Sequence, residues 1–130
     1  MTEPFQTRTL PEHVDAIAPD QSEIRFLVQV REGSMVHCCL PVGAVSWAVT
    51  HRTVAELWYV VSGQGELWRQ QGEQQQVVRL QAGISLSIPL GTQFQFRNTG
   101  TDPLQLIIVT MPPWPGADEA VRVPDYWPIS

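Results

Sequence analysis

Apolar and polar residues alternate along most of the middle of the chain, from Ile24 to about Met111. A period of two is typical of half-buried β-strands, whose successive side chains point to opposite faces. The pattern predicts nine short strands, at about 24–30, 35–40, 44–50, 56–61, 66–70, 77–80, 84–88, 93–97 and 104–111. Turn residues separate them, and Ser62-Gly63-Gln64-Gly65 predicts a tight hairpin. Many short, evenly spaced strands predict an all-β sandwich or barrel.

The two ends of the chain depart from this pattern and divide it into three parts. Residues 1–22 are a predicted N-terminal arm, in which capping-box spacing predicts a short helix over about 10–18. Residues 23–111 are the predicted barrel. Residues 112–130 are a Pro- and aromatic-rich tail with a turn of helix near 117–121, and we expect it to pack on the barrel or on a partner subunit.

Composition and charge exclude several classes of function. The chain has 130 residues, enough for one domain with its own core, and a net charge of −5. All eight basic residues are scattered arginines, so no basic surface for nucleic acid is expected. The polar N-terminus is unlike a signal peptide, and no apolar run has the length of a membrane span. Adjacent Cys38 and Cys39 would point apart in a strand, which predicts reduced thiols and a cytoplasmic protein.

The chemistry is concentrated between Gly43 and Gly63, a segment rich in apolar residues. Glu56 is the only acidic residue between Glu32 and Glu66, and it lies among Trp, Tyr and Val. A carboxylate in such surroundings is costly to bury unless it is paired or bound to something. Glu56, with the nearby His51, is therefore the first candidate for a site.

Two runs of residues have spacings that are specific enough to compare with a known family. The run Gly43, five residues, Val49-Thr50-His51, four residues, Glu56, six residues, Gly63 resembles the first cupin motif. The run Gly83, five residues, Pro89-Leu90-Gly91, two residues, Phe94, three residues, Asn98 resembles the second. The resemblance covers roughly residues 35–111 and implies a cupin jelly-roll β-barrel with a ligand pocket inside.

The resemblance also raises the question of a metal ion. In metal-binding cupins, two histidines and the glutamate of the first motif, with the histidine of the second, hold a divalent ion. His51 and Glu56 match two of these positions, whereas Val49 and Phe94 occupy the other two and donate nothing. We therefore expect no metal cofactor. The alternative is a reduced metal site in which His51 and Glu56 hold the ion and His37, water or substrate completes it.

Strand parity adds aromatic neighbours to the His–Glu pair. If His51 and Glu56 point inward, Trp47 and Trp58 share their faces, and Phe94 and Phe96 line the facing strand. These six residues are the predicted ligand-binding set. Together they predict an aromatic cavity around one polar pair, the general form of a small-molecule site.

Three functions fit these residues. The first is a binding module that holds a small polar metabolite, sugar-like or carboxylate-bearing, with His51 and Glu56 as polar contacts. The second is a metal-independent isomerase or epimerase in which the same pair acts as general acid and base. The third is a metal-dependent cupin enzyme with a reduced ligand set. Fold-level analogy cannot choose a substrate among them.

The opposite face of the same strand predicts a partner. Leu57, Tyr59 and Val61 point away from Glu56, and apolar residues on an outer face are typical of an interface. We expect a homodimer.

Overall fold

The chain folds into two antiparallel sheets, which a computed structural model describes over residues 2–129. The strands are Ala16–Ile17 (β1), Glu23–Val30 (β2), Gly33–Leu40 (β3), Val49–His51 (β4), Ala55–Ser62 (β5), Gln64–Gln71 (β6), Gln74–Gln81 (β7), Ser85–Ile88 (β8), Gln93–Asn98 (β9), Leu104–Met111 (β10) and Ala120–Arg122 (β11). One sheet has the order β1-β2-β3-β10-β5-β8, and the other β11-β4-β9-β6-β7. The predicted all-β jelly-roll barrel is confirmed.

The alternating pattern places the core between the sheets. In β5, Glu56, Trp58 and Val60 are buried, whereas Leu57 and Tyr59 are half exposed. The other strands contribute their inward-facing residues to the same core, including Cys38, Leu40, Leu67, Leu80, Ile88, Phe96, Leu104, Leu106 and Ile108. A polar residue on an inward position of β5 therefore faces the barrel interior.

Two local predictions were wrong, each because of a contact distant in sequence. The arm forms no helix over 10–18; instead β1 pairs with β2, and the Asp15 carboxylate accepts the Phe26 backbone N–H at 2.8 Å. The predicted hairpin at 62–65 does not pair β5 with β6, because these strands belong to different sheets. At this crossing Gly63 has φ +90°, and a Cβ there would lie 2.6 Å from the Pro103 carbonyl oxygen, so only glycine fits.

The C-terminal tail packs on the outer face of the five-stranded sheet. The Gln95 side chain accepts the backbone N–H groups of Tyr126 and Trp127 and donates to the Trp127 carbonyl, at 2.8–3.0 Å. Trp127 is buried beneath the Arg97 guanidinium, which lies 4.5 Å from the ring centroid. The predicted turn of helix near 117–121 is a 3-10 turn, Ala117–Glu119. Within residues 2–129, no helix is long and apolar enough to cross a membrane.

The outer face of the six-stranded sheet carries an apolar patch where β5 and β10 pair. Leu57 lies beside Val109 and Tyr59 beside Ile107, and Leu57, Tyr59 and Val61 are 44–50% exposed. Exposed apolar residues on an outer strand face are typical of an interface. The homodimer remains a prediction, now placed on this surface.

We expect Tyr59→Glu to convert a wild-type dimer into folded monomers, because a charge at the centre of an apolar interface must be desolvated on association. Light scattering at tens of micromolar should give twice the mass of one chain for the wild type and one chain for the variant. Val77→Glu, which changes a residue of similar exposure on the other sheet, should stay dimeric. A monomeric wild type would rule out the interface.

Candidate functional site

A cavity of about 600 Å³ occupies the barrel interior and extends towards the N-terminal arm. His51, Glu56, Trp58 and Phe94 line its inner part, and Trp114 from the tail contributes to the wall beside His51. A volume of this size is within the usual range for small-molecule sites. The structure thus brings together four of the six predicted ligand-binding residues around one cavity.

His51 and Glu56 lie at the end of β4 and the start of β5, on either side of a short bend. Only 7% of His51 and 6% of Glu56 is exposed, and His51 Nδ1 lies 4.0 Å from Glu56 Oε2. The Trp58 indole N–H donates to Glu56 Oε1 at 2.9 Å. The His51 ring meets Phe94 and Trp114 edge to face, with centroids 5.2 and 5.0 Å away. The pair is therefore held by aromatic side chains and is not joined by a direct hydrogen bond.

Burial keeps both members of the pair uncharged at neutral pH. It raises the pKa of Glu56 to about 8, opposed by the Trp58 hydrogen bond and reinforced by the carboxylates of Asp20 and Glu119. It lowers the pKa of His51 to about 4, although the Glu119 carboxylate acts in the opposite direction. A carboxylic acid beside a neutral imidazole can donate one proton and accept another.

Sequence reasoning missed Asp20, which joins the cavity wall from the N-terminal arm. Its carboxylate accepts the Ser22 hydroxyl and backbone N–H at 2.7 and 3.0 Å, and burial raises its pKa. No strand pattern could have found it, because Asp20 lies in the turn between β1 and β2, before β2 begins at Glu23.

Glu119 was also missed, and it fixes the segment that follows His51. Its carboxylate accepts the Thr53 backbone N–H and hydroxyl, both at 2.6 Å, and the Val54 backbone N–H at 2.9 Å. These bonds lower the pKa of Glu119 despite its burial. Next to it, β11 pairs with β4, with Ala120 opposite His51. The tail therefore positions His51 from two sides.

Three other predicted site residues lie elsewhere. Trp47 does not line the cavity, and the Arg122 guanidinium lies over its ring, 4.6 Å from the ring centroid. Phe96 is fully buried in the core, where it supports Trp58 edge to face. His37 lies on the face of β3 that points away from the cavity, and its Nε2 forms a hydrogen bond with Gln105 Oε1 at 2.9 Å. It is therefore not placed to complete a metal site with His51 and Glu56.

The donor set does not fit the four-ligand ion of metal-binding cupins. Val49 and Phe94 occupy two ligand positions of the motifs and line the cavity with carbon atoms only. In the described part of the chain, no three His, Cys, Asp or Glu side chains are grouped so that they could hold a metal ion. First-row transition metals need about three or four protein ligands, so the residues present are too few.

Comparison with known proteins gives a family and several similar structures. The model for the cupin domain family matches residues 36–110. XanB of Xanthomonas campestris pv. campestris, a xanthan biosynthesis protein, is 40% identical over 83 residues, which are 64% of this chain but only 17% of XanB. A Bacillus halodurans crystal structure has a TM-score of 0.65 at 22% identity and covers 78% of this chain and 76% of its own. KdgF from Halomonas sp. has a TM-score of 0.65 at 20% identity, covering 78% and 88%. Both structural likenesses concern the fold alone.

Proposed function

Since the chain belongs to the cupin family, we propose that its barrel binds a small polar metabolite without the help of a metal ion. His51 and Glu56 supply the polar contacts, and Trp58 and Phe94 form the apolar walls. The observation that carries the proposal is a buried acid and a buried imidazole that share one cavity yet are 4.0 Å apart. Polar groups buried without a mutual hydrogen bond are costly, and a ligand that bonds to both removes that cost.

Sugars and small carboxylates are the ligand classes to test first. The curated relative is named for the biosynthesis of xanthan, a polysaccharide. An aromatic wall with a few convergent polar groups suits a sugar ring, whose faces are apolar and whose edge carries hydroxyls. A small carboxylate is the other class, because the uncharged Glu56 can donate a hydrogen bond to it.

The charge state of the pair also favours a second candidate function, an isomerase or epimerase. At neutral pH the His51 imidazole is an unprotonated base, and the Glu56 carboxyl is a protonated acid. His51 could remove a proton from a substrate carbon next to a carbonyl while Glu56 protonates the carbonyl oxygen, which forms an enol. If that carbon carries a hydroxyl, the enol is an enediol. His51 then returns its proton to the former carbonyl carbon, and Glu56 takes back a proton from the other enediol hydroxyl, which completes an isomerisation.

The test is a thermal-shift screen of monosaccharides and small carboxylates at pH 7, on protein dialysed against a chelator and analysed for metals. We expect hits with far less than one transition metal per chain. The hits should disappear in Glu56→Leu, which removes both polar atoms that face the ligand, and persist in Glu73→Gln, which changes an exposed carboxylate in the β6–β7 turn. Exchange of a hit's carbon-bound hydrogen in D₂O would identify an isomerase.

Two results would contradict the proposal. Hits that persist in folded Glu56→Leu would place the ligand outside the barrel. Near-stoichiometric metal that survives the chelator, with hits that depend on it, would restore a metal-dependent site.

A further inference from the structure

One positive charge lies on the exposed side of the cavity, on the N-terminal arm. Of the described residues that line the cavity, Arg8 is the only arginine or lysine, and its side chain is exposed. An arginine side chain stays protonated throughout the physiological pH range. The chain as a whole carries a net charge of −5. Arg8 is therefore a local positive charge at the cavity of a negatively charged protein.

The guanidinium of Arg8 is unpaired in the part of the chain that the structure describes. Within residues 2–129 it belongs to none of the ion pairs and makes no side-chain hydrogen bond. Five other arginines each donate to a carbonyl or carboxylate oxygen of the protein: Arg25, Arg52, Arg69, Arg97 and Arg122. The N–H donors of Arg8 are thus available to a ligand.

The arm is fixed on both sides of Arg8, which keeps this residue beside the cavity. Before it, the Gln6 side-chain oxygen accepts the Gln29 backbone N–H at 3.1 Å. After it, the Arg25 guanidinium donates to the Pro11 carbonyl oxygen at 3.1 Å. Both contacts are with β2, and Gln6 and Gln29 also line the cavity. They hold the Arg8 backbone in place before a ligand arrives, which lowers the cost of binding.

The inner end of the cavity offers polar groups whose charged forms are disfavoured. Burial raises the pKa of Glu56 to about 8, raises that of Asp20 as well, and lowers the pKa of His51 to about 4. An ionised group of a ligand would lose its hydration among these residues without gaining a counter-charge. We therefore expect such a group at the exposed end, beside Arg8.

We propose that the barrel ligand is an anion whose carboxylate or phosphate group is bound by Arg8. Its uncharged, polar end points inward to Glu56. The inference rests on the proposed binding function and defines the class of the ligand and its direction in the cavity. A guanidinium presents parallel N–H donors that match two oxygens of a carboxylate or a phosphate. Arg8 lies outside residues 36–110, which the family model matches, so membership of the family does not itself indicate this contact.

Four compounds with one sugar ring and a different group at one position test the role of the charge: D-glucuronate, D-glucuronamide, D-glucose and D-glucose 6-phosphate. Cyclohexanecarboxylate and its carboxamide repeat the comparison on a ring without hydroxyls. Dissociation constants are measured by isothermal titration calorimetry at pH 7 and low ionic strength. We expect at least one anion to bind roughly tenfold more tightly than its uncharged counterpart, the lower end of what a hydrogen bond to a charged group contributes. Glucuronate and glucose 6-phosphate distinguish a carboxylate from a phosphate.

Three variants assign the preference to Arg8. In Arg8→Gln the anion should bind within about twofold of the uncharged compound, whose own affinity should not change. Arg8→Lys keeps the charge but loses the paired donors, so part of the preference should remain. Arg79→Gln is the matched control, because Arg79 is an exposed arginine of β7 that does not line the cavity. It changes the net charge equally and should behave as the wild type.

Two results would overturn the inference and leave the binding function standing. One is equal affinity for the charged and uncharged members of each series. The other is a preference for the anion that persists in Arg8→Gln, which would place the anionic group at another position. If none of these compounds binds, the hits of the thermal-shift screen decide: anionic hits that Arg8→Gln weakens support the inference, and uncharged hits overturn it. If the screen also has no hits, the binding function and the inference both fail.

Discussion

The free energy of unfolding should fall by about 2 kcal/mol between pH 6.5 and pH 8. Burial raises the pKa of Glu56 from 4.5 to about 8, so the folded state keeps a proton that the unfolded chain loses. The stability that this proton contributes is complete below pH 4.5 and is lost as the pH rises through 8. Each pH unit inside this window costs about 1.4 kcal/mol.

His51 shapes the acid side of the same profile. Folding lowers the pKa of His51 from 6.5 to about 4. Between these two pH values the His51 side chain is therefore protonated in the unfolded chain but not in the folded protein. This destabilises the fold as the pH falls from 6.5 to 4 and opposes the Glu56 effect between pH 4.5 and 6.5, which produces a plateau there. Glu119, with its lowered pKa, adds to the loss at acid pH. Urea denaturation from pH 4 to pH 9 measures the whole curve.

Glu56→Gln tests whether Glu56 causes the loss of stability above pH 6.5. It removes the titrating group and keeps the shape, so its stability should be nearly flat from pH 6.5 to 8, and above pH 8 it should exceed the wild type by about 3–5 kcal/mol. Glu73→Gln should reproduce the wild-type curve. A wild type that is equally stable at pH 6.5 and 8 would mean that Glu56 is charged in the folded protein at neutral pH.

Glu119→Ala should destabilise the protein by about 3 kcal/mol at pH 7. The change removes the acceptor of three hydrogen bonds and leaves the buried Val54 backbone N–H without its partner. Because the affected residues follow His51 directly, the affinity for any barrel ligand should fall as well. Chemical denaturation measures the loss of stability, and thermal shifts with the hits of the ligand screen measure the loss of affinity.

Asp118→Ala is the matched control for this prediction. Asp118 is an exposed neighbour that contributes its backbone carbonyl to the Arg52 side chain, a bond that alanine keeps. Its loss should change stability by less than about 0.5 kcal/mol. If Glu119→Ala costs no more than Asp118→Ala, the tail does not position His51.

Local sequence patterns were sufficient to predict which strand residues face the core. The alternation of β5 placed Glu56 and Trp58 inside and Leu57 and Tyr59 outside, as the structure has them. The turn spacings around Gly43 and Gly83 resemble the two cupin motifs, and this resemblance implied the jelly-roll barrel. The position of the His–Glu pair in the cavity followed from parity and motif register alone.

The parts that the sequence did not predict depend on contacts between distant segments. Glu119 acts on Thr53 from 66 residues away, and no local pattern pairs them. The N-terminal arm does not form a helix because its residues 16–17 pair with the edge of β2. This tertiary pairing outweighs the local preference for a helix that the capping-box spacing indicates. Similarly, the parity of a single histidine in β3 could not be decided until the pairing with β10 showed His37 opposite Ile107, on the outer face.

We propose that Glu56 and His51 form an uncharged pair that faces the barrel cavity and binds a ligand. The most direct measurement is the ¹³C chemical shift of the Glu56 side-chain carboxyl, followed from pH 4 to pH 10 and assigned with Glu56→Gln. We expect one transition with a midpoint near 8. A midpoint near the ordinary glutamate value of 4.5 would show a charged carboxylate at neutral pH, of the kind that an ion pair or a bound metal requires, and would contradict an uncharged pair.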